Sequence, residues 1–252
     1  IKLFQFKLCP FSRRVRFTLE EYNISFVTID EIIWNKRKEF LAINPAGTLP
    51  VLIDEADDII INNYAIIEYI EEKFSQPLNG TSLISGNLKA KAEIRRLVDW
   101  YDNKFYNEVS KIILRELIDK YYMKNRTEDK SPNMESLRIA QENSIYHFEY
   151  LSYLISSRRW IAGDTLSQAD IAAATHISCL DYLNKIDWDK WIDEDEIDEI
   201  DENEKNDFDV GNMQEMMQMM QMQNMNNTEE SCTAGKYQNS ECSKGCCGNN
   251  IE

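Results

Sequence analysis

One thiol stands out for its setting. In "KLCPFSRRVRF", Lys7 to Phe17, Cys9 follows an apolar stretch and precedes an amphipathic one. The preceding "IKLFQFK" is rich in aromatic and branched residues and reads as a strand. Val15, Leu19 and Tyr22 then fall at helical spacing, with Phe11 one turn earlier, so a helix begins near Phe11. Proline suits a first helical turn, where its missing N–H leaves nothing unsatisfied. Cys9 therefore sits at a helix N-terminus with Arg13 close by. Unpaired amides and positive charge both favour thiolate over thiol, so the expectation is a depressed pKa and a reactive sulfur. The competing reading is a strand-to-helix junction with an incidental cysteine.

Other residues with chemical potential are weaker candidates. His147 and His176 lie on helical stretches without a partner motif and read as structural or surface residues. Cys242, Cys246 and Cys247 are close together, and soft thiolates suit zinc or copper(I). The paired C-x-x-C spacing of structural zinc sites is missing and no histidine lies nearby, so no metal site is assigned. Ser167, three residues before Asp170, reads as a capping box with Asp in place of Glu, a folding signal rather than a chemical one.

The elements that must position Cys9 can be read around it. "SFVTI" (Ser25 to Ile29) is a short strand, and "NKRKEFLAI" (Asn35 to Ile43) is a helix that "NPAG" ends. "LPVLI" and "IIIN" flank the acidic turn "DEADD" as a hairpin, and a helix follows with Ile66, Tyr69, Ile70 and Phe74 on one face. This order predicts a thioredoxin-like α/β domain over residues 1–74. A polar linker over 75–87 leads to an all-helical domain over 88–191. There, Leu97, Tyr101, Phe105, Val109 and Ile112 mark one long helix, and Leu137, Ala140, Ser144, Phe148, Leu151 and Leu154 mark the next.

Residues 192–252 differ in kind. Of the 44 acidic residues of the chain, 11 lie between Asp193 and Asp209, with one of the 28 basic ones. A Met/Gln-rich run and four cysteines follow, so the tail reads as disordered. In a helix, Met213, Met216, Met217 and Met220 would share a side and contact a partner. The net charge of −16 is thus concentrated in the tail. A basic surface for nucleic acid or anionic lipid is lacking, and no apolar run approaches the roughly 20 residues of a membrane span. Six cysteines in 252 residues do not make a disulfide scaffold, and with no signal-peptide pattern they suit a reducing cytoplasm.

"CPFSRRVR", "INPAGTLPVLID", the helix after it and "AGDTLSQADIAAA" resemble the glutathione S-transferase superfamily, in the same order, over about residues 3–191. The resemblance implies a glutathione pocket in which Cys9 activates or carries the glutathione sulfur. It further implies that Pro50 is the cis-proline whose preceding residue, Leu49, pairs its backbone with the tripeptide. Catalytic members usually carry Glu-Ser before the third helix, to hold the γ-glutamyl group; here Asn62-Asn63 stand there. Asn63 is expected to cap that helix. Neutral Asn62 lacks a charge-assisted bond to the glutathione ammonium, which weakens the clamp.

A narrower likeness lies in "WNKRKEFLAINPAG", "LVDWYDNKFYNEV" and "ATHISCLDYLNKIDW". These are similar to the FtsZ-binding, GST-like cell-division proteins of alphaproteobacteria. That likeness implies a bacterial, cytoplasmic homodimer that binds FtsZ polymer without strong glutathione chemistry. Trp100, Tyr101, Phe105 and Tyr106 exceed what one buried face needs, so some are expected to face a subunit or partner. Arg13, Arg14, Arg16 and the run Lys36-Arg37-Lys38 are candidate contacts for an acidic partner, with a solvated face as the plainer reading. The alternative function is a glutathione S-transferase or thiol transferase, with Cys9 forming a mixed disulfide and Ser12 completing a C-x-x-S motif.

Overall fold

The computed structural model describes residues 1–75, 82–123 and 131–186, all within one compact unit. The first half carries β1 (Lys2–Gln5), α1 (Pro10–Glu21), β2 (Val27–Asp30), α2 (Lys38–Ile43), β3 (Val51–Ile53), β4 (Ile59–Ile61) and α3 (Asn63–Phe74). The sheet order is β2-β1-β3-β4. β2 runs parallel to β1; β3 runs antiparallel to β1, with Leu3 opposite Leu52 and Phe4 opposite Val51, and β4 runs antiparallel to β3. Successive strand residues face opposite sides, and Phe4 and Val51 pack on Phe40 of α2. The β3–β4 hairpin is closed by Asp54, whose carboxylate accepts from the amides of Ala56 and Asp58 at 2.7 and 3.0 Å. This is the thioredoxin-like arrangement expected from the strand and helix order.

The second half is helical. α4 is a single run over residues 88–122: α-helical over Leu88–Asp99 and Lys111–Leu114, with wider π-type turns over Trp100–Ser110 and Arg115–Asp119. The widening answers a pattern in the sequence. Leu97, Tyr101, Phe105, Val109 and Ile113 recur at a strict spacing of four and are all buried. A helix of 3.6 residues per turn would rotate such a stripe off its face, and wider turns keep it there. The stripe thus ends on Ile113 rather than Ile112, which is only half-buried.

α5 (Met134–Ile155) buries Leu137, Ala140, Ser144, Phe148, Leu151 and Leu154 as its spacing predicts. α6 (Gln168–Tyr182) starts with the anticipated capping box. The Ser167 side chain caps the first turn, and Asp170 accepts from the Ser167 amide at 2.9 Å and from the Ile161 amide at 2.8 Å. α6 is buried over nearly its whole length and packs against α1 and α4. Part of the linker and the whole tail from 192 lie outside the described residues.

Candidate functional site

α1 carries an unexpected load. Arg13, Arg14 and Arg16 are all buried, so they are not contacts for an acidic partner, nor do they form a solvated face. Burial of a guanidinium requires partners, and most of these come from far along the chain. Arg13 donates to the Lys7 carbonyl at 2.8 Å and to Ser178 at 2.7 Å. Arg16 donates to Gln5 at 3.2 Å. Arg14 donates through Nε to Gln168 at 3.1 Å and through Nη1 to Asp102 at 2.6 Å. Gln168 in turn donates to Thr18 at 3.0 Å and Glu71 at 3.3 Å, and Glu71 accepts from Tyr22 at 2.8 Å. This polar seam joins the two halves. Of the second basic run, Arg37 pairs with the buried Glu31 at 2.6 Å, while Lys36 and Lys38 are exposed.

Beside the seam lies a cleft of about 750 Å³. Its walls include Cys9, Leu49, Asn62 and Asn63, so four of the five expected pocket positions converge. Pro50, the fifth, is buried behind Leu49 and follows a cis peptide bond. Ser167 and Asp170 lie away from the cleft in their capping box. Among the described residues no cluster of three or more His, Cys, Asp or Glu is arranged to hold a metal.

The chemistry at Cys9 differs from the expectation. Burial pushes its thiol up from the ordinary value, outweighing the Ser12 hydroxyl, the Ser12 and Phe11 amides and Arg13. Arg13 contributes least of these, and its guanidinium donates to the Lys7 carbonyl and Ser178 rather than to the sulfur. Cys9 stands at the helix N-terminus as predicted, but low polarity there favours the neutral thiol.

The paired asparagines also divide their work differently. Asn62, at φ 84°, is the cap of α3, its Oδ1 accepting from the Tyr64 amide at 2.9 Å. Asn tolerates that left-handed region better than most residues. Asn63 is the first helical residue, and its amide reaches across to Asp102 at 2.9 Å. Asp102 thus binds Arg14 and Asn63 through one oxygen, while His176 Nε2 stands 3.5 Å from the other. Burial opposes the Asp102 charge, but Arg14 and His176 outweigh it and hold the carboxyl below its usual value. His176, fully buried and touching Ser110 at 3.0 Å, is pushed below its ordinary value by burial, which outweighs Asp102. His147 is likewise buried, between Trp100 at 3.1 Å and Glu108 at 3.0 Å.

Residues that the sequence did not single out complete the cleft. α4 contributes a second stripe of Asp99, Asn103, Asn107, Lys111, Leu114 and Ile118, with Asp102 and Asp119 beside it. Its signal in the sequence is the three- and four-residue spacing on the face beside the buried one. Phe6 and Trp34 come from the sheet half. Trp34 stacks on Tyr122 with ring centroids 5.1 Å apart, and Phe6 meets both edge-on. Of the aromatics expected at a partner surface, Tyr101 and Phe105 are core and Tyr106 faces the cleft. Trp100 packs with Tyr146, His147 and Tyr150.

This combination defines the class. The profile of the glutathione S-transferase N-terminal domain matches residues 3–78. The crystal structure of a glutathione S-transferase from Rhodospirillum rubrum superposes with a TM-score of 0.70 at 37% identity, over 75% of this chain and 82% of that one. The chain belongs to the glutathione S-transferase superfamily. It is also 35% identical over 189 residues to FtsZ-localized protein A of Caulobacter vibrioides, covering 74% of this chain and 79% of that protein. The structure of FzlA from C. crescentus superposes with a TM-score of 0.69 at 35% identity, over 75% and 81% of the two chains.

Proposed function

We propose that this chain is a GST-fold interaction protein that associates with FtsZ polymer in cell division and does not depend on glutathione chemistry. The observation that carries the reading is the likeness to FtsZ-localized protein A, which extends through both halves of the chain. The cleft agrees with it. Asn62 Oδ1 is spent on the helix cap and the Asn63 amide on Asp102. No carboxylate stands at position 62 or 63 to hold an ammonium. The proposal includes a homodimer, a cytoplasmic bacterial setting, and a thioredoxin-like domain over 1–74 joined through 75–87 to a helical domain over 88–191. Among the described residues no helix is long and apolar enough to cross a membrane.

A second reading has its own support. Cys9 and Leu49 line the same cleft, and the R. rubrum relative is named a glutathione S-transferase. In that reading Cys9 is the thiol of a glutathione or thiol transferase, with Leu49, Pro50, Asn62 and Asn63 forming the tripeptide pocket. Retention on immobilised glutathione distinguishes the two. The favoured reading expects flow-through of the full chain. Retention that free glutathione elutes and Cys9→Ala abolishes would establish the second.

A further inference from the structure

The acids along the cleft differ in how they are satisfied. Asp102 is held by Arg14, and Asp99 accepts from Asn103. Among the described residues the Asp119 carboxylate makes no hydrogen bond or salt bridge, and Arg115, one turn earlier, is the cation whose charge it feels. Apolar residues line the same cleft: Leu114 and Ile118 from its own helix, with Phe6, Ile33 and Trp34 from the sheet half. Tyr122, one turn further along α4, shares the Asp119 face and stacks on Trp34. Burial pushes the Asp119 carboxyl up to about 6. A partly buried carboxylate with no hydrogen-bond partner among the described residues opposes folding, and its placement in a cleft suits a compensating ligand.

The chemistry of the corner narrows that ligand. A single carboxylate among hydrocarbon walls lacks the several oxygen ligands that calcium or magnesium requires. An anion would meet the same carboxylate and be repelled. A cation on an organic stem suits both parts, because its charge meets the carboxylate while its flanks lie on aromatic faces. Guanidinium is especially suitable, being planar, weakly hydrated and able to donate two parallel hydrogen bonds. Lys111, Arg115 and Lys120 are the nearby cations of the same helix, and Lys120 is paired with Glu116. Lys111 lies two turns away, roughly 12 Å by helical rise, where water in the open cleft screens it.

We propose that the Asp119 corner binds a guanidinium or primary ammonium group, with Asp119 accepting its hydrogen bonds and Trp34 and Phe6 packing against its flanks. The group is either the end of a Lys or Arg side chain of a partner protein or a free small amine. The site does not require glutathione to bind.

The full chain is titrated with ethylguanidinium chloride, with uncharged ethylurea, and with the peptide acetyl-Leu-Arg-Leu-amide. The backbone amide resonances of residues 33, 34 and 118 are followed by NMR. The expected result is a saturable shift with the two cations and none with ethylurea, weakened about 10-fold or more in Asp119→Asn. Trp34→Ala, which leaves the carboxylate in place, is expected to weaken binding less; it serves as the test variant if Asp119→Asn does not fold. A peptide affinity about 10-fold above that of ethylguanidinium identifies a protein segment as the source, and equal affinities a free amine. Lack of saturation with both cations, equal binding of ethylurea, or affinities unchanged in both variants would overturn the proposal.

Discussion

The seam between α1 and the helical half and the cleft beside it use similar side chains to opposite ends. In the seam, Arg14, Gln168, Glu71 and Tyr22 pass hydrogen bonds from one half to the other and leave little capacity for a ligand. In the cleft, Asp119 makes no ion pair among the described residues and lies near a cluster of aromatics. Asp102 belongs to both: it faces the cleft, but its bonds go to Arg14 and Asn63. Charge close to a cavity is therefore a poor guide to what the cavity binds. The useful question is which charges the fold has already consumed.

The sharpest way to break the comparison is at Arg14. Arg14→Met removes the cation but leaves Asp102 without its ion partner and Gln168 short of a donor. It is expected to cost about 3–5 kcal/mol, the usual penalty for breaking a buried pair from one side. Urea denaturation measures it, and a loss under about 1 kcal/mol would mean that the seam relaxes or admits water. Outside the seam, in the capping box of α6, Ser167→Ala removes a cap and is expected to cost about 1 kcal/mol.

In the cleft the sign reverses. Because burial raises the Asp119 carboxyl to about 6, the folded state holds that proton to higher pH than the unfolded chain, whose carboxyl lies near about 4. Its stabilising contribution is complete below about pH 4 and is lost as pH rises through about 6. Asp119→Asn is therefore expected to raise Tm at about pH 7 and to leave it nearly unchanged at about pH 4. A lower Tm at neutral pH would show that Asp119 has a stabilising partner. The smallest effect concerns Cys9. Its alkylation rate is expected to reach half-maximum above the ordinary cysteine value of about 8.5, since burial raises it. A midpoint below about 7 would restore the activated thiol.

Much of the fold was legible because its signals are local. The apolar strands, the proline of the first helical turn, the hairpin around "DEADD" and the Ser167–Asp170 box all act within a few residues. The site was legible only as far as the superfamily resemblance reached: Cys9, Leu49, Asn62 and Asn63 do meet in one cleft. Their electrostatics were not, because the deciding partners are remote. Arg13 is drawn to Ser178, 165 residues away, and Arg14 to Asp102, 88 away. Three arginines within four residues therefore read as a basic patch, and the burial that keeps Cys9 neutral is likewise set by the tertiary fold. Asn62 and Asn63 have the same side chain, and only the backbone shows that the cap is Asn62, at φ 84°.

Association with FtsZ polymer is the central claim, and co-sedimentation of the 252-residue chain with assembled FtsZ tests it directly. The chain is expected to pellet with polymer and not with unassembled FtsZ, to saturate as polymer is added, and to be unaffected by excess glutathione or by Cys9→Ala. Recovery in the supernatant at every polymer concentration would contradict it.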